Sequence, residues 1–556
     1  MPSLSDWYKI MNVRDSVYLI RDSNFTMVLP KIIGAFPLKQ IKGAIMITRM
    51  KISGFKNLVD LDVRFGPFTC VAGANGVGKS NLFDAIMFLS ALAEKTLIEA
   101  AMSVRGEGGR VADVRHLFHR TGKNYADTIS FEVEMIIPGQ GMDDYGQMAK
   151  ATITSLRYAV SLAYRRGQGD SSQGRLELIH EELERIKLGD ADKHFLFSLN
   201  VAAWRKSAVR GRRRSAPFIS TQGSGSDRII KMHQDSGGHK TEKWRGGTGP
   251  SFPAASLPRT VLSSATNAAE SPTALLVRRE MQSWRLLQLE PSALRLPDEL
   301  AAPKKMSSDG SHLPATLYRL AEHDRNADKG NSSDAASWIY AELASHLSKL
   351  INDVQDVKVD RDEKRELLTL EVVDRSGTAH PARSLSDGTL RFLALAVLAM
   401  DREEQGVLCL EEPENGIHPE RIPAMIQLLH DIATDTNEPL GADNPLNQVI
   451  VNTHSPAVVG EIPDDSLLVA ELREYMDKGE RCKGLSLSCL DDTWRTKALA
   501  NTRVVSKGKL IAYLNPVAPS ADANEWQLPA GTKRKKEMRR RVVDRKDMQI
   551  LLPFAE

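Results

Sequence analysis

With 556 residues and a formal net charge of +3 at pH 7, the chain is long enough for two to four domains of ordinary size. It carries no bulk charge that would draw it to nucleic acid, so any such affinity has to come from local patches. The best candidate for a membrane span, residues 28–48, is broken by Lys31, Lys39 and Lys42, and the N-terminus lacks a signal pattern, so a soluble cytoplasmic protein is expected.

Residues 1–45 show little periodicity and read as an N-terminal extension, and a strand-like segment, MITRMKISGF, begins at Met46. The first motif follows. Phe68–Ala72 reads as a short buried strand, Gly73, Gly78, Lys79 and Ser80 fit G-x-x-x-x-G-K-[ST], and Leu82, Ala85, Ile86 and Leu89 recur at helical spacing. Strand, glycine loop and helix form the context of a phosphate-binding loop. Its backbone N–H groups curl around phosphate, and the helix N-terminus adds unpaired donors and the positive end of its dipole. Lys79 is expected to reach the β- and γ-phosphates and Ser80 to take a place on Mg²⁺. Asn75, Gly76 and Asn81 complete the expected nucleotide contacts.

Residues 128–136 and 153–164 alternate as strands, so a first half of the nucleotide domain is expected over 46–165. An insertion is expected over 166–345. Within it 175–189 is charged and helical in period, and 271–300 and 313–352 read as helices. Residues 204–250 form a basic loop, with eleven Lys/Arg against three Asp/Glu in 204–245. No heptad run is sustained, which excludes a long coiled-coil arm. The stretch DVKVDRDEKRELLTLEVVDRSG reads as a hairpin leading into a second half, 346–475.

That second half carries three motifs. In ARSLSDGTLRFLALAVLAM, Ser386–Thr389 are strong helix-start residues ahead of an almost wholly apolar helix. In GVLCLEEPENGIHP, the apolar run Val407–Leu410 delivers Glu411 and Glu412 at the carboxyl end of a strand, where parallel α/β sheets place ligand chemistry. In NQVIVNTHSP, the strand Val449–Val451 ends in polar residues and His454. The remainder, 476–556, is a basic tail: residues 532–546 hold nine Lys/Arg against two Asp/Glu. Cys70 and Cys409 lie in apolar runs as small hydrophobes, and a disulfide between Cys482 and Cys489 is not expected.

The order of these motifs resembles the ATP-binding-cassette type ATPases, and among them the RecF/SMC-like and OLD-like bacterial AAA family ATPases. The resemblance covers residues 46–90 and 380–460. It implies an α/β P-loop NTPase head, a mixed sheet flanked by helices, with a long helical and basic-loop insertion between Walker A and the signature motif. It implies ATP and Mg²⁺ as ligands, with Ser80 and Glu411 on the metal; Glu411 stands where the Walker B acid is normally aspartate. Glu412 matches the water-polarising glutamate and His454 the switch histidine. Ser386 and Gly388 match the signature loop, which in the family closes over the γ-phosphate of the opposite subunit, so a homodimer sandwiching ATP is implied. Glu414–His418 match the D-loop region. The Q-loop glutamine has two candidates, Gln140 and Gln147. DNA contact through Arg210–Arg214 and Lys533–Arg541, and a partner nuclease in DNA repair or anti-phage defence, are implied at the level of the family. The residues after His454 lack the glutamate and D-x-D pattern of a Toprim nuclease, so nuclease activity is not expected in this chain. A transporter ATPase subunit and a nucleotide-gated scaffold with little turnover are the alternatives; the long insertion and Glu411 weigh against the first.

Overall fold

The computed structural model describes residues 9–13, 16–21, 24–26, 46–104, 113–165, 174–187, 202–211, 216–235, 250–327, 334–348, 353–401, 406–441, 444–477, 479–498 and 502–506, together with positions 194, 197, 351, 508, 510 and 513. Lys9–Val13, Ser16–Arg21 and Asn24–Thr26 pair as a small antiparallel meander.

The body begins at Met46 with a hairpin, β1 (Met46–Phe55) and β2 (Leu58–Arg64), followed by β3 (Phe68–Ala72) and α1 (Lys79–Leu92). Next come β4 (Thr128–Ile136), β5 (Ser155–Arg165), β6 (Arg175–Arg185), β7 (Ile219–Gln222), β8 (Ile229–Met232) and β9 (Ser251–Pro253). These form one antiparallel sheet of eight strands in the order β9-β8-β7-β6-β5-β4-β1-β2. The sheet therefore does not stop near residue 165 but runs on to Pro253. Residues 175–185, expected to be helical, are a strand. A register shift opposite Ser161/Leu162 pairs Leu178 and His180 with neighbouring residues of β5. This breaks the two-residue alternation and leaves Leu176, Ile179 and Leu183 at a spacing that imitates a helix.

The chain then crosses to a second sheet. After α2 (Pro272–Gln282) comes β10 (Arg285–Leu287), a three-residue strand inside a stretch expected to be helix throughout. Helices α3 (Leu313–Ala327) and α4 (Asp334–Ser348) and the hairpin β11 (Val354–Asp362) and β12 (Leu367–Asp374) follow. The last elements are α5 (Asp387–Met400), β13 (Val407–Glu411), α6 (Ile422–Ile432), β14 (Gln448–Thr453), β15 (Leu467–Asp477) and β16 (Glu480–Cys489). The second sheet is mixed, in the order β10-β13-β14-β3-β15-β16; the first five strands are parallel and β16 is antiparallel.

Helix α1 lies between the two sheets, which is why Leu82, Phe83, Ala85, Ile86, Phe88 and Leu89 are all fully buried. Its Phe88 ring meets Phe55 and Phe131 of the antiparallel sheet at centroid distances of 5.9 and 5.7 Å. The other face of the mixed sheet is covered by α3, α4, α5 and α6 through a second apolar core. Gln448, fully buried, stitches the sheets together: its amide exchanges hydrogen bonds with the Ile47 backbone (2.9 and 2.8 Å) and donates to the Gly66 carbonyl. Satisfying every polar atom of that amide is what makes its burial tolerable. The molecule is thus an α/β structure with a mixed sheet flanked by helices, and β3, which leads into the glycine loop, sits inside that sheet with a parallel neighbour on each side. Among the described residues no helix is long and apolar enough to cross a membrane, and all four cysteines are buried free thiols.

Candidate nucleotide site

A cleft of about 640 Å³ opens at the carboxyl ends of β3, β10, β13 and β14. One wall is the loop between β3 and α1, contributing Asn75, Gly76, Gly78, Lys79, Ser80 and Asn81; the other carries Gln288, Glu411, Glu412 and Asn415.

The loop is held from below by a residue the sequence reading passed over. Asn57, in the turn between β1 and β2, donates its amide to the Val77 carbonyl (2.9 Å) and accepts from the Asn81 amide (2.8 Å). Gly78 has φ of +99°, and a Cβ there would lie 2.1 Å from the Asn57 amide nitrogen, so the position requires glycine. Gly78 also caps α1 without any side-chain hydrogen bond to the helix N-terminus, so the first N–H groups are not taken by a cap. Lys79 is 7 % exposed and folds back so that Nζ donates to the carbonyls of Gly73 (2.6 Å) and Ala74 (2.9 Å). Burial lowers the pKa of its ammonium, while the charges of Glu412, Glu414 and Glu411 oppose that shift.

On the facing wall Glu411 ends β13 and its carboxylate accepts a hydrogen bond from the Gln288 side chain. Glu412 lies just beyond with φ of +46°, a left-handed conformation that costs a glutamate about 1 kcal/mol or more. Asn452, at the end of β14, holds it there: the Glu412 N–H donates to the Asn452 carbonyl (3.0 Å) and side-chain oxygen (3.2 Å). Both Glu412 carboxylate oxygens are engaged, one by His454 Nδ1 at 2.7 Å and the other by the Asn415 amide at 2.9 Å. Beneath this pair Glu414 is buried; the Thr453 hydroxyl donates to one of its oxygens and the other has no partner among the described residues. Burial raises the Glu414 pKa.

Ser386 caps α5, accepting from the Thr389 N–H at 3.2 Å. Gly388 packs so closely on the Glu412–His418 turn that a Cβ would stand 2.2 Å from the Gly416 carbonyl oxygen. Neither residue lines the cleft that holds Lys79. Arg391, one turn further along α5, does; its guanidinium donates to the Leu289 carbonyl (3.0 Å) and the Asn415 carbonyl.

The glutamine candidates need correction. Gln140 lies exposed in a two-stranded ribbon and Gln147 in the turn of that ribbon, and neither reaches the cleft. The glutamine that lines it is Gln288, directly after β10. A three-residue strand leaves no periodicity to read, so only the apolar Leu286–Leu287 pair ahead of a lone glutamine could have marked it.

The donor set suits a phosphate-bound Mg²⁺: Ser80 and Glu411 line the same cleft, and Mg²⁺ takes one or two protein ligands beside phosphate and water. No cluster of three or more His, Cys, Asp or Glu that could hold a metal occurs among the described residues. Of the basic stretches, Arg210 is exposed and its backbone is pinned to Thr154 (2.8 and 3.0 Å), whereas Arg212–Arg214 and Lys533–Arg541 lie outside the described residues.

Residues 253–460 match the family described as "AAA domain, putative AbiEii toxin, Type IV TA system", a span that contains Ser386, Glu411, Glu412 and His454 but begins after the glycine loop. No curated protein matches the chain. Solved structures similar to it include an SMC head bound to the C-winged helix domain of ScpA, at 12 % identity and a TM-score of 0.41, covering 80 % of this chain and 98 % of that one. An SMC head with an extended coiled coil, bound to the C-terminal domain of ScpA from Pyrococcus furiosus, has 12 % identity and a TM-score of 0.40 over 80 % and 97 % of the two chains. The SMC head domain from Thermotoga maritima has 11 % identity and a TM-score of 0.31 over 80 % and 99 %.

Proposed function

We propose that the protein binds and hydrolyses ATP with Mg²⁺. One observation carries this reading: Lys79 of the glycine loop and Glu412, the partner of His454, come from distant parts of the sequence and line one cleft. In this reading the loop N–H groups and Lys79 bind the β- and γ-phosphates. Lys79 exchanges its two carbonyl partners for phosphate oxygens, which are stronger acceptors. Glu412 orients and polarises the attacking water, and His454 fixes the rotamer of that carboxylate and senses the γ-phosphate. Mg²⁺, held by Ser80 and Glu411, would neutralise charge developing on the phosphate oxygens.

Ser386 is exposed, Gly388 is buried against Gly416, and neither lines this chain's own cleft. That placement favours their use on the nucleotide of a second copy, in a head-to-tail dimer with two ATP at the interface. We further propose that the dimer is DNA-associated and controls a partner, with a nuclease in repair or anti-phage defence as the leading class. The outer face of the antiparallel sheet is charge-balanced rather than basic: Arg157 pairs with Glu132, Glu182 and Glu184, and Lys51 with Glu132. DNA contact would therefore rest on Arg210–Arg214 and Lys533–Arg541. The deciding experiment is light scattering of Glu412→Gln with and without ATP, paired with a salt titration of duplex DNA binding. An ATP-dependent dimer that binds DNA more tightly than the apo chain supports the reading. A monomer with unchanged hydrolysis removes it, and equal, weak DNA binding in both states confines it to protein partners.

A further inference from the structure

A second cleft, of about 620 Å³, lies at the seam where β2 of the antiparallel sheet meets the β15–β16 hairpin of the mixed sheet. It shares no lining residue with the nucleotide cleft. Four arginines line it: Arg49, Arg64, Arg495 and Arg503.

Among the described residues, carboxylates lie within ion-pair distance of only two of the four, Arg64 and Arg49, and the better matched is Arg49. Its guanidinium grips Asp62 with two hydrogen bonds (2.8 and 2.5 Å) and reaches Glu134 at 3.2 Å. Arg64 is 6 % exposed; its Nη1 donates to the His194 carbonyl (3.1 Å) and stands 3.8 Å from Glu134, a carboxylate already held by Arg49 and His194. The Arg64 Nε is buried with no partner among the described residues. Arg495, on the short helix Trp494–Ala498, is 3 % exposed and donates only to neutral oxygens: the Arg64 carbonyl (3.1 Å), the Thr69 hydroxyl (3.2 Å) and the Asp465 carbonyl. Arg503 is exposed and donates to the Ser486 hydroxyl at 2.7 Å. Neither Arg495 nor Arg503 has a carboxylate within ion-pair distance among the described residues.

Burying a guanidinium with no carboxylate in contact, as at Arg495, or with only a shared and distant one, as at Arg64, is costly, and proteins tolerate it where an anion completes the site. Burial accordingly lowers the pKa of Arg64 and takes that of Arg495 down to about 10. Asp60, at the exposed rim, is the only lining acid not already paired to Arg49. Leu487 and Tyr475, both half-buried, give the cleft an apolar wall as well. Its volume lies within the range of small-molecule sites.

We propose that this cleft is a second anion site, which takes the phosphoryl group of a small phosphorylated molecule on Arg64, Arg495 and Arg503. Planar guanidinium forks match phosphate oxygens, and a dianion answers several of them at once. The apolar wall receives the body of the molecule. The site also touches the strand that feeds the phosphate loop, because Thr69, the partner of Arg495, belongs to β3, which ends at the residue before Gly73.

The test uses the full chain carrying Lys79→Ala, so that the first phosphate site is weakened, and titrates it calorimetrically with inorganic phosphate and with ribose 5-phosphate at constant ionic strength. Saturable binding is expected, weakened about tenfold or more by adding Arg503→Gln, since a lost hydrogen bond to a charged group is of that size. Arg503 is exposed, so its replacement leaves folding intact; Arg64→Gln, where it folds, is expected to act in the same direction. Tighter binding of ribose 5-phosphate than of phosphate assigns the apolar wall to an organic ligand, whereas equal affinity assigns the site to the free ion. Absence of saturable binding, or binding that Arg503→Gln leaves unchanged, overturns the proposal.

Discussion

His454 and Glu412 are partners across two strand ends: the imidazole Nδ1 donates to one carboxylate oxygen at 2.7 Å while Asn415 holds the other at 2.9 Å. Neither oxygen can rotate away without losing a hydrogen bond. Glu412→Gln is expected to lower ATP turnover by about 10²- to 10⁴-fold, the usual range for a lost general base, while nucleotide affinity stays near wild type. His454→Ala should give a smaller loss of the same kind, because the carboxylate survives but is no longer aimed. Phosphate-release kinetics together with equilibrium nucleotide binding separate the two effects.

Lys79→Ala removes the cation that, in the proposed reading, meets the nucleotide phosphates. Loss of one charge-assisted contact of this type is expected to weaken ATP binding by at least about tenfold. Equilibrium dialysis with ATP measures it, and affinity within a few-fold of wild type would contradict the assignment.

Gly78→Ala should be as damaging as Lys79→Ala by a different route. The new methyl meets the Asn57 amide, and the left-handed backbone adds roughly 1 kcal/mol of strain. Loss of nucleotide binding with the melting temperature barely changed is the expected pattern, since the loop crest lies outside the core.

Gln288 and Gln140 give an internal comparison. Gln288→Ala is expected to reduce Mg²⁺-dependent turnover and raise the Mg²⁺ concentration needed for half-maximal rate, as the side chain is bonded to Glu411. Gln140→Ala should match wild type in the same titration.

Glu280 supplies a stability test. It is buried on α2, one of its carboxylate oxygens has no partner among the described residues, and burial pushes its pKa up to about 8. The folded state therefore holds this proton at pH values where the unfolded chain releases it, and stability falls as pH rises from about 4.5 towards 8. Glu280→Gln should melt close to wild type at pH 5 and above it at pH 9. Parallel melting curves across that window would show that the carboxyl is solvated.

The legible parts of the sequence were those where one segment carries its own signal. Phe68–Leu92, the apolar runs into Glu411 and Thr453, and the Ser386 cap of α5 needed no partner to be recognised. What escaped depends on contacts between segments. Asn57 looks like any turn asparagine until Val77 and Asn81 come to it. The register shift in β6 turned a strand into an apparent helix, and β10 is too short to show any period. The arginines of the second cleft come from residues 49 to 503, with nothing local to join them.

The position of β3 also dictates when the site can exist. Its two neighbours are β14, paired through Phe68 and Val449, and β15, paired through Cys70 and Leu467. Both are translated nearly four hundred residues after it, an interval of about 20 to 80 s at ordinary rates of synthesis. Throughout that time the strand beneath the glycine loop has neither of its native hydrogen-bonding partners, and such edges recruit other chains. A nucleotide cannot assist the nascent polypeptide through this period, because the cleft proposed to hold it is lined by residues as late as Glu411, Glu412 and Asn452. An N-terminal fragment ending before residue 407, which lacks Glu411, Glu412, Asn452 and both partners of β3, should therefore depend on chaperones and be unable to retain nucleotide, whatever the quality of its glycine loop.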